Sequence, residues 1–131
     1  MTYAEGRDAL YGLVKAAWVA AYPSAPMFYA DRDAAPPASG LWARSMVKFN
    51  DAGAAALGRR LWDRRGILAV QLFQEAGQGS VLDTAGQTMV NALEGVTSPA
   101  FLTQVKMVDV GPDGKWVQVQ VTAEFEFQQL K

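Results

Sequence analysis

Ile67-Leu68-Ala69-Val70-Gln71-Leu72-Phe73 is a nearly continuous apolar run, short and partly β-branched. Such a run predicts a central strand covered on both faces. Gly77-Gln78-Gly79 breaks it, and Ser80 followed by Asp83 predicts the capped start of a helix. Leu82, Ala85, Met89 and Leu93 recur at helical spacing as the buried side of that helix, and Gly95 stands where a left-handed residue would stop it. Phe101 to Val110 reads as the next strand. Gly111-Pro112-Asp113-Gly114 supplies hairpin chemistry, proline pre-setting φ for the turn and glycine accepting positive φ. The last strand alternates most cleanly: Val117, Val119, Val121, Ala123, Phe125 and Phe127 point inward, Gln118, Gln120, Thr122, Glu124 and Glu126 outward.

Upstream of the central run the pattern also has period two. Trp42, Arg44, Met46 and Lys48 face one way, Leu41, Ala43, Val47 and Phe49 the other, and Asn50-Asp51-Ala52-Gly53 is a turn signal. A weak strand over 54–65 leads into the central one. At the amino terminus, Thr2 and Glu5 have capping-box spacing, and Leu10, Leu13, Val14, Ala17, Trp18 and Ala21 form one helical stripe. Tyr22-Pro23 ends that helix, because proline disfavours the helical conformation of its predecessor. Four of the six prolines fall between 23 and 40, where Met27-Phe28-Tyr29 forms a short extended piece and Asp31 to Gly40 a surface loop. The element order is α-β-β-β-α-β-β. It predicts an α+β fold: a mixed or antiparallel sheet of about four to five strands with two helices on one face, in a single domain over residues 1–131.

Composition narrows the chemistry. The 131 residues include no histidine and no cysteine, which removes thiolate and imidazole metal ligands and every Ser–His or Cys–His catalytic arrangement. Half the residues are hydrophobic and 19% charged, enough apolar surface for a real core without a metal or disulfide staple. Twelve basic against thirteen acidic residues give a formal charge of -1, which argues against a dedicated nucleic-acid-binding domain. No run approaches the ~18 apolar residues of a membrane span. The first residues lack the pattern of a signal peptide, so a cytoplasmic product is expected.

The remaining candidate sites are few. The glycine junction before Ser80 lacks the third glycine of a dinucleotide loop (Leu82 stands there) and the lysine of a P-loop, so it reads as a tight turn into a helix. Glu124 and Glu126 share a strand face, roughly 7 Å apart, within range of a two-carboxylate hydrolase or a divalent cation. Asp31 and Asp33 offer oxygen ligands without organised spacing. Both pairs read better as solvated surface or subunit contact, and no catalytic residue, metal or cofactor is expected. More informative are Arg59, Arg60, Arg64 and Arg65 around Asp63, a net +3 within seven residues, with Trp62 among them. In an extended segment Arg60 and Arg64 project to one face, Arg59 and Arg65 to the other. The cluster suits contact with an acidic partner surface or passing DNA phosphates, and equally a solvated hairpin tip. Trp18 is core by periodicity. Trp42 and Trp116 lie on the more polar sides of their strands and need cover from a helix, a loop or another chain.

Taken in order, the second half carries a recognisable set: Arg64-Arg65-Gly66 opening the strand to Phe73, then Gly77-Gln78-Gly79, the helix from Ser80 to Leu93, Val108-Asp109-Val110-Gly111-Pro112-Asp113-Gly114-Lys115-Trp116-Val117-Gln118-Val119, and Phe125-Glu126-Phe127. This ordered set, over roughly residues 59–130, resembles the phage tail terminator family of long-tailed bacteriophages. The resemblance implies a structural virion protein with no active site, located at the head-proximal end of the tail and assembled in the host cytoplasm. It implies a homo-hexameric ring that sits on the last ring of tail tube protein, stops tube growth and offers a docking surface to the head-tail connector. A ring of six such globules leaves a hole roughly 35 Å wide, so that genomic DNA passes through without specific binding. Under that reading Arg59, Arg60, Trp62, Arg64 and Arg65 form an inter-subunit, tube or connector contact, with the loop at 31–40 as a second docking surface. The alternatives are a head-completion or connector adaptor, another minor tail protein, or a small α+β hydrolase or ligand-binding domain using the carboxylate pairs.

Overall fold

Thr2 and Glu5 start the chain's first helix as their spacing predicts. The Glu5 amide donates to Thr2 Oγ1 (3.1 Å), and the Thr2 amide donates to Glu5 Oε1 (3.0 Å). These bonds from Thr2 hold the Glu5 carboxyl below its ordinary range. The computed structural model describes residues 2–30, 35–56, 61–77 and 79–130, with backbone alone over 51–56, 61–63, 79–80, 113 and 129–130. The elements are α1 (Tyr3–Ala21), β1 (Met27–Tyr29), β2 (Trp42–Ala56), β3 (Leu61–Glu75), α2 (Gly79–Leu93), β4 (Phe101–Asp113) and β5 (Trp116–Leu130). They form the expected α+β arrangement, a five-stranded mixed sheet in the order β1-β2-β3-β5-β4 with β1 parallel to β2 and the other pairs antiparallel.

One face of the sheet is built for the helices. Ala43, Val47, Leu68, Val70, Leu72, Val119, Val121 and Phe125 share it and are buried against Leu10, Val14 and Trp18 of α1 and Leu82, Ala85, Met89 and Leu93 of α2. Trp18 is fully buried and donates its indole N–H to the Ala25 carbonyl (2.9 Å), which ties the turn after α1 to the helix. Gly95 has φ +75 and ends α2 in the left-handed conformation anticipated for it. On the solvent side of α1, a methyl group at Gly12 would meet nothing within 4 Å. Gly12→Ala should therefore raise stability by about 0.5–1 kcal/mol through backbone entropy alone, read as a Tm a few degrees higher in thermal unfolding.

Four local expectations are corrected. Asn50 to Gly53 is no turn: β2 runs through it, with a register shift between Phe49 and Asp51, and Gly53 pairs with Asp63. Pairing with a β3 strand that β5 supports along its whole length outweighs local turn propensity, and the bulge absorbs the extra residue. Ser80 lies inside the first turn of α2, which begins at Gly79. Pro112 pairs with Val117 inside β4, and the reversal falls at Gly114-Lys115. Because β4 is an edge strand, the missing N–H of Pro112 is tolerated there. On the outer face of the central run Ala69 and Phe73 are buried, but Ile67 is 42% exposed, so the cover on both faces fails at the Ile67 end.

Candidate assembly surface

The face of the sheet away from the helices divides into two halves. At one end Trp42 stacks on Phe73 (centroids 4.1 Å apart, 10° between planes) and meets Trp116 and Phe28 edge-on at 5.8 and 5.7 Å. The cover required for Trp42 thus comes from its own chain. Trp42 is 5% exposed, although its indole N–H, buried, finds no hydrogen-bond partner among the described residues. Arg44 bridges the two halves: its Nε donates to Gln71 Oε1 (2.7 Å) and its guanidinium lies 5.7 Å from the Phe73 ring centroid. The other half is polar and apolar by turns, with Ile67, Val108 and Thr122 around a shallow hollow of about 430 Å³ that Lys106 and Glu124 also line.

The arginine cluster separates in the structure. Arg59 and Arg60 lie outside the described residues, as do Asp31 and Asp33 of the loop. Trp62 is placed by its backbone, paired with Ala54 and Gln129. Arg64 and Arg65 point to opposite faces, as alternation requires. Arg64 enters the helix face, is 3% exposed, and lies with its guanidinium 4.4 Å from the ring centroid of Tyr3 at the start of α1. Arg65 stays on the outer face, half-exposed, with its Nε 3.6 Å from Glu126 Oε2. Glu124 and Glu126 share that outer face and are both exposed, Glu126 being engaged by Arg65. Among the described residues no three acidic side chains gather as a metal site would require. A further hollow of about 450 Å³ lies between the turn after α1 and residues 39–41, lined by Tyr22, Pro23, Pro26 and Leu41 without a charged side chain.

A feature the sequence reading passed over is the exposure of β4. Phe101, Met107, Val108 and Val110 are 56%, 39%, 42% and 49% exposed. The signal was present as apolar residues at both parities of one strand followed by Pro112, a pattern that fits an edge strand with neither face fully covered.

No family model matches this chain, and no curated protein does. Solved structures share its fold from end to end. One, known only by a sequence identifier, is 18% identical with a TM-score of 0.72, over 100% of this chain and 98% of its own. A chain from the virion of a native gene transfer agent particle is 14% identical with a TM-score of 0.60, over 98% of this chain and 100% of its own. At these identities the likeness is one of fold.

Proposed function

We propose that this chain, one domain over residues 1–131, is a virion structural protein: a tail terminator whose copies close into a ring of six on the last ring of tail tube protein. The observation that carries the reading is the end-to-end match to a chain of a gene transfer agent virion, with almost nothing left over on either side. The ordered motifs from Arg64 to Phe127 point the same way. The ring ends tube growth, sits at the head-proximal end of the tail and presents the surface on which the head-tail connector docks, while DNA passes through its lumen. Its work is geometric and non-enzymatic, since stopping a polymer requires a surface that binds the last subunit and refuses the next. Arg65, with Arg59, Arg60 and Trp62, belongs to a contact with tube, connector or neighbouring subunit, and Arg64 holds that strand from inside.

The test is the mass of the purified chain with and without tube protein, together with electron microscopy of particles lacking its gene. Six copies per tube end and overlong, unjoined tails in its absence are expected. A twelve-fold ring on the portal side would assign the chain to a head-side adaptor instead. A chain that stays monomeric beside tube rings would overturn the reading.

A further inference from the structure

We infer that β4 is the subunit contact of this ring, completed by the free edge of β2 in a second copy, so that one sheet continues into the next. The inference rests on the ring reading above and names the surface that closes it. Four of the seven large apolar side chains that stand exposed among the described residues lie on β4, and a fifth, Ile67, lies on the outer face. Single exposed apolar residues need no explanation, but four in one edge strand do. Edge strands are normally shielded by charge, shortness or a covering element, because their free N–H and C=O groups template further pairing. β4 is outermost in the sheet, thirteen residues long, and carries Lys106 and Asp109 as its only charges between Phe101 and Val110. Its two register shifts, between Thr103 and Lys106 and between Asp109 and Gly111, leave a regular stretch between them with Val108 on the outer face.

The opposite edge of the sheet is open as well. β1 pairs only with Ala43 to Ser45, so among the described residues no strand covers the outer edge of β2 from Met46 to Ala56. The Arg7 guanidinium reaches the Val47 carbonyl there at 3.5 Å. The two free edges are on opposite sides of one subunit and differ in character, one presenting exposed apolar side chains, the other Lys48 and Asn50. A head-to-tail ring needs two such different, mutually fitting surfaces, whereas β4 pairing with β4 across a two-fold axis would stop at a dimer. Strand addition satisfies the free backbone groups of both edges and lays the Lys48 stem along Val108, since both side chains project from the outer face.

Because the chain contains no cysteine, single cysteines report this contact without background. Full-length Val108→Cys and Lys48→Cys variants are mixed and treated with a short bis-maleimide under ring-forming conditions. A cross-linked dimer in the mixture, and none with either variant alone, is the expected result. Val108→Lys should weaken self-association at least about tenfold by setting a like charge against Lys48 of the second copy, with the thermal unfolding curve unchanged. The exposed α1 variant Val19→Glu should leave association intact. A ring that survives Val108→Lys and gives no 48–108 cross-link overturns this contact alone. A wild-type chain that never leaves the monomer, even on tube rings, overturns the ring and the contact together. Cross-linking of Val108→Cys to itself would replace the head-to-tail contact by a two-fold one.

Discussion

Gly66→Ala should be the most damaging single methyl group in this protein, lowering stability by about 3–4 kcal/mol and Tm by roughly 10–15 °C. Gly66 sits in β3 between Phe49 of β2 and Phe125 of β5. A Cβ there would overlap the Lys48 carbonyl oxygen and lie 2.6 Å from Phe125 Cζ and 2.9 Å from the Lys48 carbonyl carbon. A side-chain tip can swing aside, but a backbone carbonyl held in the β2–β3 ladder cannot, so the two strands would have to part. The register shift between Phe49 and Asp51 lies opposite this position, and the bend that a bulge imposes accounts for the close approach. Far-UV circular dichroism on heating reads the effect, and Gly12→Ala, which meets open space, serves as the matched control. A Gly66→Ala protein melting within 2–3 °C of the parent would remove the close approach from the account.

That contrast between two glycines shows where sequence stops being informative. Gly12 is legible as a helix residue because the capping box of Thr2 and Glu5 and the stripe Leu10, Val14, Trp18 are local, set by spacing alone. β5 was equally legible, since one of its faces is buried beneath helices and the other is polar, so alternation is forced. Gly66 and the Asn50–Gly53 segment take their conformations from β3 and β5, partners distant in sequence, and turn-forming residues were drawn into a ladder by pairing they do not encode themselves. The edge position of β4 has the same origin. It follows from β5 inserting between β3 and β4, and only then do Val108 and Val110 become exposed apolar surface instead of core. Trp42 and Trp116 announced a need for cover, but not that each would help to cover the other.

The candidate contact residues divide by the same logic, and Arg64→Glu against Arg65→Glu is the experiment that separates them. Adjacent in sequence, the two arginines are on opposite faces of β3, and only the pairing of Arg64 with Phe127 and its approach to Tyr3 send it inward. Reversing the charge at a side chain 3% exposed places a carboxylate against an aromatic face and a dry interior. The electropositive start of α1 offsets about 0.3–1 kcal/mol of that, far less than the several kcal/mol that burying a mismatched charge costs. Arg64→Glu should therefore lose about 3 kcal/mol or more of stability, and on the proposed terminator reading head-tail joining would fail with the fold. Arg64→Met, which keeps the stem and brings in no opposite charge, should cost less than the reversal, the lost cation–π attraction contributing about 1–2 kcal/mol. At Arg65 both partners of the ion pair with Glu126 are about half exposed, at 49% and 46%. Arg65→Glu should cost no more than about 1 kcal/mol of stability, while placing like charges together on the outer face. On the proposed reading, joined particles should then fall in number although the purified variant melts within a few degrees of the parent. Normal particle yield with Arg65→Glu removes that residue from the contact. An Arg64→Glu protein with an undiminished Tm removes Arg64 from the interior, and its role would then have to lie on the surface after all.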